Sequence, residues 1–256
     1  MNKRGSHVGM IISFVIFITF IVFLYSVFKP AINTGENKKA ILDDVEKGVL
    51  ENISVNLTTA TLQVKSGKNR ANCVQFQGFL LGMSSNIPYY FDAIAKNEID
   101  VVQPIYVGYY DLKIDRTDSN NLFFKVFFSP NFTALTTGKI VTSWFGAQTI
   151  VIPTCTILQQ NVDYTVGSIT MDSFPFESKI NYLAGYYSNN YDKLKAELKI
   201  TPGNDFGFDF TKSDGTAGAS VGTPPKTANV FTDEVPIQYV DSKANILSGF
   251  INIKVW

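Results

Sequence analysis

The chain has 256 residues, and its 22 basic and 22 acidic side chains balance to a formal net charge of zero. These charges are not segregated, which argues against a nucleic-acid-binding surface. The single histidine, His7, lies near the N-terminus, so the rest of the chain has no imidazole for a Ser-His-Asp site, a Cys-His site or a typical zinc site. We therefore predict that the protein is not an enzyme and uses no cofactor or metal ion, and nothing in its sequence identifies a small-molecule ligand.

An uncharged apolar run at residues 10–28 is the strongest feature of the sequence. Its length matches what a helix needs to cross a hydrocarbon core of roughly 30 Å. Lys3 and Arg4 precede the run, and basic residues are retained on the cytoplasmic side. We predict a cytoplasmic leader at residues 1–9, a single helix through the cell membrane and an extracytoplasmic remainder. The large side chains expected to anchor this helix in lipid are Met10, Phe14, Phe17, Phe20, Phe23 and Phe28.

A cleaved secretory signal is the competing interpretation of the same run. Its apolar region would be shorter, and a cleavage site of the Ala-x-Ala type would follow it. Phe28 is instead followed by Lys29 and Pro30, so we do not expect conventional cleavage.

Lys3-Arg4-Gly5-Ser6, followed by the apolar helix, resembles the leader of archaeal type IV pilin-like proteins. In that family a peptidase cuts on the cytoplasmic side, after a Gly or Ala that follows basic residues. The resemblance implies processing between Gly5 and Ser6, with the helix retained on the mature chain. The fifth mature residue, often Glu in pilins, is Met10 here, which weakens a major-pilin assignment more than a pilin-like one. The alternative is a plain signal anchor whose basic leader happens to contain a glycine.

Residues 29–53 are predicted to form a second, amphipathic helix. Pro30 is expected to end or kink the apolar helix, because proline lacks an amide hydrogen and disfavours helix in the residue before it. The second helix would begin near Asn33, which has capping-box spacing with Glu36. The apolar residues that recur every fourth position and would dock this helix against a sheet are Ile41, Val45 and Val49.

Residues 54–256 contain many short segments rich in Val, Ile, Thr, Phe and Tyr, separated by turn residues, and this pattern favours strands. The predicted strands are 54–65, 71–81, 101–114, 122–128, 136–143, 148–158, 164–171, 206–211, 230–240 and 246–256. The polar stretches 66–70 and 115–121 are predicted to be hairpin connections between their neighbours. Short helices are predicted at 89–96 and 187–198, and a long loop at 213–227.

These elements predict a mainly β protein, in which an antiparallel β-sandwich-like ectodomain follows the membrane helix and carries one or two short helices. The run 122–128 is apolar on both faces, as expected for a strand covered on both sides. The last strand should lie inside its sheet. Segments 204–210, 235–239 and 251–256 look similar to the tails of uncharacterised membrane-anchored archaeal proteins, a similarity that implies no chemistry.

Cys73 and Cys155 are the only cysteines. They cannot form a Cys-x-x-Cys pair or a four-ligand metal site, so we expect one disulfide between them or, alternatively, two buried thiols. Glycosylation sequons begin at Asn52, Asn56 and Asn131. Asn131 follows Ser129-Pro130 in a predicted loop and is the preferred candidate, because Asn52 and Asn56 lie at a helix-to-strand junction.

The expected function is structural: a single-pass surface protein that acts as a pilin-like subunit, or as an accessory of a filament or secretion assembly. Its partners would be membrane lipid and other copies or related pilin-like subunits. The alternative is an anchored extracytoplasmic domain that binds an envelope polymer, a glycan or a protein. Aromatic residues at Tyr186, Tyr187 and Tyr191, or the loop 213–227, would then carry the binding.

Overall fold

A computed structural model gives the structure of the protein and describes residues 6–65, 71–83, 92–108, 110–116, 118–132 and 154–256. Side chains are described for these residues except 6–8 and 28–37. The predicted strand at 136–143 and the first part of the one at 148–158 lie outside the described residues.

A single long helix begins the described chain. Helix α1 extends over 48 residues, from Ser6 to Ile53. We expected Pro30 to end or kink the apolar helix and a second helix to begin near Asn33, but one helix spans both residues. A proline removes one intrahelical hydrogen bond and costs about 3 kcal/mol, and the long helix-forming segments on either side outweigh this local cost.

The other described elements are thirteen strands and two helices. In chain order they are β1 (Ser54–Val64), β2 (Cys73–Phe76), α2 (Phe79–Gly82), β3 (Asp92–Asn97), β4 (Val102–Gln103), β5 (Ile105–Val107), β6 (Leu112–Asp115), β7 (Phe123–Ser129), β8 (Thr156–Leu158), β9 (Tyr164–Pro175), α3 (Glu177–Glu197), β10 (Phe206–Lys212), β11 (Ala217–Val221), β12 (Phe231–Val240) and β13 (Ile246–Val255). The fold is therefore mainly β, as predicted, with an N-terminal apolar helix.

The first sheet has five strands in the order β4-β3-β7-β1-β9, all antiparallel to their neighbours. Strand β7 lies at its centre and is buried on both faces. Phe124 and Phe128 belong to one core cluster, and Phe127 belongs to the cluster on the opposite face. This confirms the prediction for the apolar run 122–128.

The second sheet has the order β5-β6-β2-β8, in which β2 and β8 pair in parallel. Its inner residues share a core cluster with the five-stranded sheet, so that Phe76 and Ile114 pack in the same cluster as Leu62 and Val126. The disulfide between Cys73 and Cys155 lies beside the parallel pair.

The third sheet, in the order β11-β10-β13-β12, receives helix α1. Strands β12 and β13 form the predicted antiparallel pair, and β13 lies between β10 and β12, which confirms that this strand is internal. The connection from β12 to β13 reaches the five-stranded sheet. Val240, at the end of β12, and Ala244, in the loop, share a core cluster with Ile94 and Phe127.

Both predicted hairpins are wrong. Strand β1 pairs with β7 and β9, whereas β2 pairs with β6 and β8 in another sheet. The polar connections 66–70 and 115–121 suggested that the strands on either side of each would pair. Strand β1 instead pairs with β7 and β9, strands distant in sequence. The segment 101–114 is three strands rather than one, because Pro104 separates β4 from β5 and a turn closed by Gly108 N and Asp111 O, 2.8 Å apart, precedes β6.

Three further predictions need correction. The segment predicted as a helix at 89–96 contains strand β3, because pairing with β7 at the centre of a sheet overrides weak local preference. Part of the predicted loop 213–227 is strand β11, which tolerates small residues because Gly218 lies against the ring of Phe210. Helix α3 begins at Glu177, before the predicted start at 187.

Candidate functional site: the N-terminal helix and its docking surface

The first half of α1 is apolar on all sides and packs against nothing in the described structure. Residues Gly9–Val27 have a mean hydropathy of 2.7, and none of this stretch is buried. The predicted anchor residues are among the most exposed large hydrophobic side chains of the described residues: Met10 is 67% exposed, Phe14 64%, Phe17 57%, Phe20 57% and Phe23 61%. This segment is long and apolar enough to cross a membrane.

Two hydroxyl groups within the apolar half, those of Thr19 and Ser26, are satisfied inside the helix itself. Thr19 Oγ1 donates to the carbonyl oxygens of Val15 and Ile16, at 3.0 and 2.9 Å, and Ser26 Oγ donates to Val22 O at 2.8 Å. A polar group in hydrocarbon is costly only when it lacks a partner. Thr19 and Ser26 therefore fit an apolar environment.

The second half of α1 is amphipathic and packs onto the third sheet. Val45 and Val49 are fully buried, and Ile41 is half-buried against the same core cluster. Full burial of a side chain of this size stabilises the docked helix by about 1.5–3 kcal/mol. One helix thus combines an uncovered apolar half with a firmly docked half.

The surface that receives α1 is formed by alternate residues of three strands, β10, β12 and β13, and by one face of α3. These residues are Phe206, Phe208, Phe210, Ile237, Tyr239, Ile251, Ile253, Val255, Ile180, Leu183 and Leu194. Apolar and polar residues alternate along 251–255, which indicates a half-buried strand, but nothing local in a strand shows which element will cover its apolar face. Alternating Phe residues at 206–210 are the signal that could have suggested the receiving surface.

The outward side of the docked half is charged and acidic. Asp43 and Asp44 are exposed, and Lys47 pairs with Glu51 at 4.0 Å on the surface. Partial burial raises the pKa of the Glu46 carboxyl, and the negative charges of Asp233 and Asp43 raise it further. This face is therefore suited to water rather than to the membrane interior.

Helix α3 is fixed to the start of β10, in the third sheet, by a polar network at Asp205. Lys195 Nζ and Tyr191 OH donate to Asp205 Oδ1 at 2.7 and 2.8 Å, and Tyr187 OH donates to Phe206 O at 2.6 Å. The Lys195 ammonium and the Tyr191 hydroxyl lower the pKa of the Asp205 carboxyl. Tyr187 and Tyr191, proposed as exposed binding residues, therefore have a packing role.

A shallow groove on the outer side of α3 is a second candidate surface. It is lined by Tyr182, Gly185, Tyr186, Asn189 and Asn190. Tyr182 is 65% exposed, and its ring lies 6.2 Å from that of Tyr186 with the two planes only 16° apart. A flat ligand or the apolar face of a sugar could stack there, beside the Asn side chains.

The remaining predicted residues lie away from this helix surface or outside the described part. Gly5 is outside the described residues, Ser6 is where the described helix begins, and the side chains of Ser6 and Phe28 are not described. Asn52 and Asn56 are exposed, whereas Asn131 is half-buried, so exposure favours the junction sequons over the one we preferred. Within the described ranges, no group of three or more His, Cys, Asp and Glu side chains could hold a metal ion.

A scan against protein-family models found no match to this chain, and neither did searches of the curated proteins and of the solved structures. The fold and the residues described above are therefore the grounds for a functional proposal.

Proposed function

We propose that the protein is a single-pass surface protein that acts as a pilin-like structural or accessory subunit of a filament or secretion assembly. The observation that carries this proposal is helix α1. A continuous helix of 48 residues has an apolar, uncovered first half and a second half docked on a sheet through Val45 and Val49. This arrangement suits a subunit whose apolar helices pack together in lipid or in a filament while its β domains face outward.

The proposed membrane position follows from length and charge. The 19 residues Gly9–Val27 span about 28 Å at 1.5 Å per residue, close to the thickness of a hydrocarbon core. Lys3 and Arg4 favour a cytoplasmic N-terminus, which leaves residues 29–256 outside the cytoplasm. The two sheets that share a core would form a sandwich-like body there, and its role would be structural rather than catalytic, without a cofactor.

Processing is the most direct test of the pilin-like part of the proposal. Intact-mass measurement of the protein from its native membranes should show a chain that begins at Ser6. Gly5→Leu should leave the leader attached, because the resemblance places the cut after this small residue. Gly9→Ala is the matched control and should be processed normally, since a side chain there meets nothing within 4 Å. A native chain that retains Met1 would contradict pilin-like processing.

Topology and assembly need separate measurements. Protease added to whole cells should digest the β domain. A β domain that resists the protease in intact cells but is digested in lysed cells would overturn the proposed orientation. Electron microscopy of membranes, with antibody against the β domain, should show labelled filaments or clustered complexes. Isolated, evenly spread label would favour a lone anchor instead.

The stacked pair of the exposed Tyr182 and the half-buried Tyr186 favours a second candidate function, binding of an envelope glycan by the anchored domain. Tyr182→Ala should then reduce co-sedimentation of the protein with purified envelope polysaccharide. Asn181→Ala, an exposed change on the same helix, should not. Equal co-sedimentation of both variants and the unmodified protein would remove this candidate.

A further inference from the structure

Lys96 is a buried lysine whose side chain reaches from one sheet to another. It lies in β3 and is only 3% exposed. Its Nζ donates to Ala244 O at 2.9 Å and to Asn245 Oδ1 at 2.7 Å, both in the loop between β12 and β13. The ring centroid of Phe127 lies 5.4 Å from the same nitrogen. The amine is therefore held against the side-chain amide of Asn245 in a largely apolar environment.

The partners of Lys96 are unusual for a buried cation. Its two acceptors are neutral oxygens, and the ion pairs found among the described residues do not include it. A buried ammonium without a paired carboxylate is costly, and burial shifts a lysine toward its uncharged form. Burial lowers the pKa of Lys96, as does Lys125, against the opposing effect of Asp100 and Asp241. A neutral amine is also the nucleophilic form of lysine.

Asn245 is held in place by a neighbouring carboxylate. Asp241 Oδ2 accepts a hydrogen bond from Asn245 Nδ2 at 2.7 Å, while Oδ1 accepts from the backbone N–H groups of Asn245 and Lys243, each at 2.8 Å. Ala244 has a φ of 56°, in the left-handed region that alanine rarely adopts. Within this constrained turn, the Ala244 carbonyl and the Asn245 side chain both point toward Lys96. Fixed geometry of this kind favours a reaction between bound groups.

We propose that Lys96 and Asn245 join through an intramolecular amide bond, with Asp241 as the residue that positions the Asn245 side chain. Lys96 Nζ attacks Cγ of Asn245, a new Nζ–Cγ bond forms, and the Cγ–Nδ2 bond breaks. In the tetrahedral intermediate both nitrogens are bonded to Cγ, so that one proton passes from Nζ to Nδ2 while Asp241 Oδ2 accepts a hydrogen bond from Nδ2 at 2.7 Å, and Nδ2 leaves as ammonia. The reaction exchanges one amide for another, so it needs no oxidant, reductant or cofactor.

The product would remove the least favourable feature of this site. A buried amine becomes a neutral amide, whose single N–H can still donate to a nearby carbonyl such as that of Ala244. The bond would also connect β3 of the five-stranded sheet to the loop that follows β12, across a sequence separation of 149 residues. It would tie the sheet that receives α1 covalently to the rest of the β structure, whether or not the chain assembles as a pilin-like subunit.

The test is a mass measurement on the full chain, purified from its native membranes and reduced to open the disulfide. The expected mass is lower by one ammonia than the mass calculated from the observed N-terminus, and proteolysis should yield a branched peptide that contains both Lys96 and Asn245. Lys96→Arg should restore the calculated mass, because arginine cannot form this bond. Lys125→Arg is the matched control, since Lys125 is the cross-strand neighbour of Lys96, and it should keep the ammonia deficit.

If the protein of natural sequence has the full calculated mass, the proposal is overturned. A mass deficit that maps to any other pair of residues would also overturn it. The presence or absence of the branched peptide in the protein of natural sequence decides the question even if Lys96→Arg fails to fold. Asp241→Asn gives a further test of the positioning role of Asp241. In this variant the uncrosslinked fraction should increase, whereas a fully linked Asp241→Asn chain would exclude that role.

Discussion

Gly48 of α1 and Leu198, directly after α3, lie so close that a Cβ atom at position 48 would overlap Leu198 Cδ2. Leu198 is only 6% exposed and belongs to the core cluster around the docked helix. It therefore has little room to move away. The absence of a side chain at Gly48 lets the two helices approach where α1 meets the β domain.

This contact predicts opposite effects for two glycine substitutions in helices. Gly185→Ala should raise the free energy of unfolding by about 0.5–1 kcal/mol, because alanine favours helix and a Cβ there meets nothing within 4 Å. Gly48→Ala should lower it by about 1 kcal/mol, since overpacking outweighs the same helical gain. Chemical denaturation of the detergent-solubilised chain measures both. Equal stabilisation by the two variants would show that Leu198 yields freely.

The docked half of α1 should depend on its buried valines. Val49 is fully buried, so Val49→Ala should lower the free energy of unfolding of the β domain by about 2 kcal/mol through lost burial and a residual cavity. Lys47→Ala changes an exposed position two residues away and should shift it by less than about 0.5 kcal/mol. Urea denaturation measured by far-ultraviolet circular dichroism compares the two. A Val49→Ala chain as stable as Lys47→Ala would mean that α1 is not docked as described.

The Asp205 network predicts a pH-dependent contribution to stability. Lys195 and Tyr191 lower the pKa of Asp205 in the folded state, so its stabilising effect is present above the ordinary aspartate pKa and is lost as the pH falls through the lower, folded value. The Asp205 side chain is 46% exposed, which limits the effect to less than about 1 kcal/mol. Asp205→Asn should therefore destabilise the protein at neutral pH and have little effect in acid. Thermal unfolding measured across this pH range compares this variant with Asp192→Asn, a change at an exposed position. If the unfolding midpoints of the two variants depend on pH in the same way, the network is contradicted.

The disulfide should contribute substantially to the stability of the second sheet. It closes a sequence separation of 82 residues between Cys73 and Cys155, and restricting an unfolded loop of that size stabilises the fold by about 4–5 kcal/mol in the chain-entropy model. Cys73→Ala combined with Cys155→Ala should lower the denaturation midpoint accordingly, and a reductant should have no further effect on this variant. In the unmodified protein the same reductant should lower the midpoint. A midpoint insensitive to reductant in both would contradict this contribution.

The elements with a clear local pattern could be predicted from the sequence, but their partners could not. Strands β12 and β13 form the hairpin that their sequence indicates, and the apolar pattern of β7 indicates burial on both faces. Strand β1, however, pairs with two strands much later in the chain. No local pattern distinguishes those partners from the nearer β2, because pairing is decided by which faces must be buried together.

The candidate site divides in the same way. Hydropathy alone identifies the apolar half of α1, and the four-residue spacing identifies the face with Val45 and Val49. The receiving surface and the contact between Lys96 and Asn245 could not be found locally, since they join residues far apart in sequence. Asp241 and Asn245 read as ordinary turn residues. Only the fold brings a buried amine to them.

The position of β13 between β10 and β12 has a consequence for biogenesis. The apolar face of α1 is synthesised early, but strand β13, which covers it together with β12, follows about 200 residues later, and contacts so distant in sequence form slowly. During translation the helix therefore leaves the ribosome with an exposed apolar face, because the strands that pack on it have not yet been synthesised. A chaperone, the translocation machinery or the lipid surface would have to shield this face until the last strand arrives.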